Sequence, residues 1–232
     1  MIKAVIFDMF ETLVSLFEGC TYFSEHMAED IGLNHDAFRE AWHETETERT
    51  CGECTIEEGI ARALGPFDCC SEENIRLLAG KRREMLDDSF KIIPEDSLTL
   101  LKNLKDKGIK TGLISNCYSD EREYIRNSPL YPYFDSAMLS YEQGISKPNP
   151  EIFRRIMKEL NVTPSECLYV GDGGSDELYA ASKSGMNAIQ TLVFHDMAYE
   201  PHVPCGILPD YLHVYKQKEI LNHVNRTNLN VW

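Results

Sequence analysis

The chain has 232 residues, 43% hydrophobic and 26% charged, enough for one sizeable core or a core with a smaller inserted domain. Its net charge of −15 excludes nonspecific nucleic-acid binding, which needs a basic footprint, and an anionic substrate would need locally placed positive charge. No apolar run approaches the roughly 18 residues of a membrane span, and the amino terminus lacks a signal-peptide pattern, so a cytoplasmic protein without nucleic-acid or membrane partners is expected.

Residues 2–7 form a short, nearly all-apolar run, the pattern of a strand buried on both faces of a parallel sheet. The run stops at Asp8. A carboxylate at the end of a buried strand either meets a metal, a cation or a substrate, or caps the following loop. From residue 16 to residue 90 the periodicity is helical. Phe17, Phe23, Met27 and Ile31 line one predicted face, which ends near Gly32. Residues 36–48 supply a second helix, with Phe38 and Trp42 as its apolar contacts. Thr55 and Glu58 form a capping box for a third, which closes at Leu64 and Gly65. Ser71 opens a fourth, carrying Ile75, Leu78 and Met85.

Strand–helix alternation resumes at Ile92. A helix with Leu98, Leu101 and Leu104 on one side precedes a strand over residues 109–115. A helix follows Ser119, and a strand is predicted over 136–140. Asn149 is an N-cap with proline at the first helical position, and Ile152, Phe153, Ile156, Met157 and Leu160 repeat at helical spacing. A strand over 167–170, a helix over 175–184 and a strand over 188–193 follow. An edge strand at 210–214 and a helix at 217–224 end the pattern. Such alternation with short connections implies an α/β fold with a doubly wound parallel sheet. Its core comprises residues 1–15 and 91–232, and residues 16–90 are an all-helical insert.

The chain has eight cysteines. Cys117 and Cys167 fall in or beside core strands and Cys20 in a helical pattern, so these read as buried reduced thiols. Cys51 and Cys54 have a spacing suited to metal or redox chemistry, but zinc would require Cys69 and Cys70 to converge on them.

Ligands of a doubly wound sheet bind beyond the carboxyl ends of its strands. Asp8, Ser115 and Asp172 all fall at such ends, and Lys147 falls in a loop beside them. Local roles exist for each, a helix cap for Asp176 or a surface charge for Lys147, yet four such residues at matching positions point to one site. The segments that carry them are Asp8-Met9-Phe10-Glu11-Thr12, Ser115-Asn116, Ser146-Lys147-Pro148 and Gly171-Asp172-Gly173-Gly174-Ser175-Asp176-Glu177. In this order they resemble the signature motifs of the haloacid dehalogenase-like hydrolase superfamily, and the resemblance covers most of the chain.

The resemblance implies a Rossmann-like core and a cap, residues 16–90, that closes over the site at the crossings near 13–16 and 90–94. It makes Asp8 a nucleophile that forms an aspartyl-phosphate, which water then hydrolyses. Asp8, Asp172 and the backbone carbonyl of Phe10 would hold Mg2+, with Asp176 assisting directly or through water, and Glu177 could take the place of Asp176. Ser115, Asn116 and Lys147 would bind the phosphoryl oxygens of a small phosphorylated substrate, and Lys147 would balance Asp8.

Phe10 departs from the phosphatases of that superfamily, which carry a second aspartate there as general acid and base. Losing such a group costs ~100- to 10,000-fold. An acidic leaving group needs no proton, so Phe10 points to slow turnover or to a substrate whose leaving group departs unaided. A 2-haloacid dehalogenase is the second reading, because those relatives carry an aromatic residue at this position and need neither metal nor acid. Against it stand Asp172 and Asp176, an acid pair that would repel itself without a cation. A weakly active binding or regulatory protein on the same fold is the third. Arg49 could meet a substrate anion, although its helix-end position reads rather as solvated charge. Arg82 and Arg83 read as surface residues, and the histidines form no ligand spacing.

Overall fold

The computed structural model describes residues 1–224; residues 225–232, the end of the expected core segment, lie outside it. Six strands form one parallel sheet: β1 (Ala4–Phe7), β2 (Lys110–Ser115), β3 (Ser136–Leu139), β4 (Cys167–Gly171), β5 (Asn187–Thr191) and β6 (Leu212–Val214), in the order β3-β2-β1-β4-β5-β6. Chain order reverses direction at β1, with β2 on one side of it and β4 on the other. Such a switch point opens a crevice at the carboxyl ends of the strands.

The apolar run of β1 is explained by what covers it. Val5 and Phe7 join one core cluster, Ala4 and Ile6 another, so successive side chains are buried on opposite faces. Helices α6 (Glu95–Asp106) and α7 (Ser119–Asn127) cover the first face through Leu100, Leu101, Leu104 and Ile125. After the short α8 (Ser140–Gln143), helices α9 (Pro150–Leu160) and α10 (Glu177–Lys183) cover the second through Ile152, Phe153, Ile156, Leu178 and Ala181. Asn149 caps α9 as expected, its Oδ1 accepting the Glu151 N–H at 3.0 Å. A single turn of 3₁₀ helix, Gln217–Ile220, runs into α11 (Leu221–Val224).

The insert carries α1 (Ser24–Asp30), α2 (His35–Glu44), α3 (Glu46–Thr50), α4 (Ile56–Leu64) and α5 (Glu72–Lys91) around its own core of Met27, Phe38, Trp42, Ile60, Leu78 and Met85. The Thr55–Glu58 capping box forms, with Thr55 Oγ1 accepting the Glu58 N–H and Glu58 Oε2 the Thr55 N–H. Two expected helices differ. The first begins only at Ser24, because Gly19 takes a left-handed φ of +88° that breaks the preceding periodicity. Cys20 is therefore an exposed loop residue, whereas Cys117 and Cys167 are buried. The second is split at Thr45, whose hydroxyl donates to the Trp42 carbonyl at 3.0 Å and competes with the helical ladder.

The arginines correct the sequence reading most sharply. Arg82 is 4% exposed, and its guanidinium donates to Asp120 and Glu121 of α7 at 3.0 Å each, joining insert to core. Arg49 is 1% exposed. Its guanidinium lies 3.5 Å over the Trp42 ring and 4.6 Å from that of Tyr118, and it donates to the Trp42 carbonyl at 2.6 Å. A weakly hydrated, planar cation is suited to such burial between aromatic faces. Only Arg83 keeps the expected partial exposure.

Candidate active site

Parallel pairing places the carboxyl ends of β1, β2 and β4 side by side, with Phe7 in register with Leu113 and Val170. Asp8, Ser115 and Asp172 leave the sheet at that edge. The Asp8 N–H continues the β1–β4 ladder by donating to the Val170 carbonyl at 2.9 Å, so the carboxylate starts from fixed backbone.

Lys147 reaches this edge from the loop before α9. Its ammonium donates to Asp8 Oδ1 and Glu177 Oε2 at 2.5 Å each, and the Tyr169 hydroxyl lies 3.4 Å away. Asn116 holds the lysine in place: its Oδ1 accepts the Lys147 N–H at 2.8 Å, and its Nδ2 donates to the Lys147 carbonyl at 3.1 Å. Ser115 is fully buried, and its hydroxyl donates to the Asn116 carbonyl over a long 3.4 Å contact.

Glu177, not Asp176, comes to the lysine. Ser175 and Asp176 both adopt left-handed φ values, 53° and 51°, which twist the chain so that the fifth residue after Asp172 turns inward. Both Glu177 oxygens are engaged, Oε2 by Lys147 and the Tyr169 hydroxyl (2.7 Å) and Oε1 by the Gly173 N–H (3.2 Å). A Cβ at position 171 would stand 1.9 Å from Oε1, so only glycine leaves room for this carboxylate. Asp176 instead lines the mouth of the site.

Oxygens of Asp8, Asp172 and Glu177 lie within 4.8 Å of one another. Burial above all, reinforced by neighbouring acids and opposed by Lys147, pushes the Asp8 carboxyl up to about 7. Burial and then Glu177 push Asp172 up to about 7. Burial opposes the charge of Lys147, but Asp8 and Glu177 outweigh it and hold its pKa above the ordinary lysine value. Asp8 offers Oδ1 to the lysine and Asp172 offers Oδ1 to the Gly174 N–H at 2.9 Å, while the second oxygen of each accepts no hydrogen bond from the described residues. Two open, hard oxygen donors in a cluster short of positive charge fit a Mg2+ site.

Phe10 is half-buried, its ring edge-on to Phe90 of α5 with centroids 6.3 Å apart. Glu11, beside it, has a left-handed φ of 53° and turns back onto its own loop, accepting from the Ser15 hydroxyl at 2.8 Å and the Leu16 N–H at 2.7 Å. Burial, partly offset by those two bonds, raises its carboxyl to about 7. Glu11 lines the same cavity as Asp172. Among the described residues, no group of three thiols or histidines gathers in metal-binding geometry, and the Cys51 thiol lies 3.9 Å from the Ser146 hydroxyl.

A family model for haloacid dehalogenase-like hydrolases matches residues 2–185. A glyceraldehyde 3-phosphate phosphatase of Methanopyrus kandleri is 28% identical over 208 residues, 82% of this chain and 84% of that one. The rhythmically expressed gene 2 protein of Drosophila melanogaster is 34% identical over 103 residues, 43% of this chain but only 38% of its own length. The fold is similar to that of a 2-haloacid dehalogenase from Pseudomonas syringae (TM-score 0.67, 23% identity, 96% and 97% of the two chains). It is also similar to a haloacid dehalogenase family enzyme from Bacteroides thetaiotaomicron, solved with magnesium and inorganic phosphate (TM-score 0.58, 20% identity, 82% and 94%). With the match spanning most of the chain and its four motifs meeting at one sheet edge, this protein belongs to the haloacid dehalogenase-like hydrolases.

Proposed function

We propose that the chain is a Mg2+-dependent phosphohydrolase acting on a small phosphorylated metabolite through an aspartyl-phosphate. The observation that carries this reading is the Lys147 bridge between Asp8 and Glu177, beside an Asp172 whose outer oxygen is open. A displacement of halide from carbon needs no such concentration of acids, whereas a divalent ion relieves it. The phosphatases among its relatives and the magnesium in a structural neighbour agree with it.

In this reading Asp8 and Asp172, with the Phe10 carbonyl, would hold the ion, and Asp176 would assist from the pocket mouth, directly or through water. Bound there, Mg2+ offsets the charge of nucleophile and phosphate and draws the acids into their ionised form. One Asp8 carboxylate oxygen attacks phosphorus as the bond to the leaving oxygen breaks, and water later cleaves the acyl phosphate. Lys147 and Ser115 hold phosphoryl oxygens where charge gathers, and Asn116 fixes the lysine against drift. Phe10 donates no proton, so the leaving group departs as an anion or takes its proton from water. Residues 16–90 serve as the cap.

The aromatic ring at position 10 favours the dehalogenase as second reading. The test compares p-nitrophenyl phosphate, a sugar phosphate and 2-chloropropionate, each with Mg2+ and with EDTA. Metal-dependent phosphate release, fastest from the aryl ester, is the expected result. Chloride release in EDTA would replace it with the dehalogenase, and phosphate binding without any turnover with a binding protein.

A further inference from the structure

The cavity at the mouth of the site, about 530 Å³, joins acids to apolar walls. Phe17, Phe194, Ala198, Val203 and Pro204 supply the apolar surface. Its ionisable side chains are Glu11, Asp172 and Asp176, together with His195, which faces Asp196 at 3.0 Å, and Cys205. No lysine or arginine is among the described residues that line it. The buried cations nearby are committed elsewhere: Lys147 to Asp8 and Glu177, Arg49 between Trp42 and Tyr118, Arg82 to Asp120 and Glu121.

Resting on the phosphohydrolase reading, we infer that this cavity selects phosphoesters with an uncharged, largely apolar leaving group and rejects those carrying a carboxylate or a second phosphate. Apart from the ion at Asp172, which the transferred phosphate takes up, a second anion entering here would lose its water against apolar walls, find no lysine or arginine and face Glu11 and Asp176. The competing place for such an anion is a neighbouring cavity of about 480 Å³ at the insert–core seam. Arg39 and Arg82 line it, but Arg82 is held by Asp120 and Glu121, and Arg39 pairs with Asp36 at 2.8 Å.

The test uses the whole chain with Mg2+ and two esters, phenyl phosphate and 4-carboxyphenyl phosphate, and measures calorimetric binding of the matching phosphonates, which are not hydrolysed. The carboxylated ester is expected to have a kcat/KM about tenfold lower or worse, chiefly through KM, and its phosphonate to bind weaker by a similar factor. Val203→Arg, at an exposed wall position, narrows both gaps. Equal or better use of the carboxylated ester overturns the inference, and loss of that use in Arg39→Ala would place the anion in the second cavity. If phenyl phosphate is not hydrolysed but phenylphosphonate still binds ahead of its carboxylated analogue, the selectivity stands and the catalytic reading falls. Binding of neither phosphonate sinks it.

Discussion

Lys147 and Asp8, 139 residues apart, meet at 2.5 Å with side chains only 3% and 10% exposed. Removing one partner of a buried pair leaves an uncompensated charge, which costs about 3–5 kcal/mol. Lys147→Met strands two carboxylates, Asp8 and Glu177. The variant should lose about that much stability at pH 8 in EDTA, and less at pH 5.5, where the acids take up protons. The lysine keeps its own charge across that range, since its raised pKa removes its contribution only at far higher pH. Urea unfolding at the two pH values checks this, and unchanged stability at pH 8 would contradict a buried pair. Turnover of p-nitrophenyl phosphate should fall ~100-fold or more.

The acids themselves set a pH dependence opposite to that of ordinary salt-bridged carboxylates. Asp8 and Asp172 titrate near 7 when folded, while an unfolded carboxyl titrates near 4. Between those values the folded chain holds protons that the unfolded chain releases, so stability falls as pH rises through that window. In EDTA the melting temperature should be several degrees higher at pH 5.5 than at pH 7.5. Millimolar Mg2+ should flatten the slope, because a cation that binds the ionised acids stabilises the folded state at the higher pH. Asp172→Asn should reduce the slope in EDTA. A flat profile for the parent chain in EDTA would mean that the cluster carries no strain.

Why some of this was legible in the sequence and some was not has physical causes. The residue 2–7 run and the 167–170 run announced strands buried on both faces, and the residues that end them had to meet once the strands paired in parallel. Asn149 and Thr55 marked their helices through local hydrogen bonds that need no tertiary knowledge. Arg82 was misread because its partners lie 38 and 39 residues away on another helix, and a guanidinium looks the same in sequence whether solvated or buried. Which of Asp176 and Glu177 turns toward the lysine depended on two consecutive left-handed residues, Ser175 and Asp176, a pairing that local propensity does not announce.

Phe10 offers a gain-of-function test. Phe10→Asp places a carboxyl where superfamily phosphatases keep their general acid, and such groups contribute ~100- to 10,000-fold for poor leaving groups. Hydrolysis of an alkyl phosphate should rise, with the new ring-less side chain forfeiting the edge contact to Phe90 and some stability. Hydrolysis of p-nitrophenyl phosphate should change little, because its leaving group needs no proton. An equal gain on both esters would argue against a missing acid as the limit on rate.

Arg82 ties the insert to the core through two carboxylates of α7. Arg82→Leu leaves Asp120 and Glu121 buried without their cation and should cost about 3–5 kcal/mol. Adding Asp120→Asn and Glu121→Gln should recover part of that loss, since the uncompensated charge goes with them. Thermal unfolding of the single and triple variants measures both. A triple variant no more stable than the single one would show that packing, rather than charge, holds the joint.

The two acids at the start of α10 can be separated by substitution. Glu177 is fully buried and accepts hydrogen bonds from Lys147, Tyr169 and the Gly173 backbone; Asp176 lines the open mouth. Glu177→Gln keeps the shape but removes the charge that faces the lysine, so it should lower stability by about 1–3 kcal/mol and reduce turnover strongly. Asp176→Asn should leave stability within about 0.5 kcal/mol, as surface changes do, and act mainly on Mg2+ affinity if it reaches the ion through water. Calorimetric Mg2+ titration beside urea unfolding of each variant distinguishes the two roles. Glu177 sits where it does because glycine at 171 leaves it space and the twist at 175 and 176 turns it inward. Gly171→Ala should therefore reproduce the Glu177→Gln defect without touching either acid.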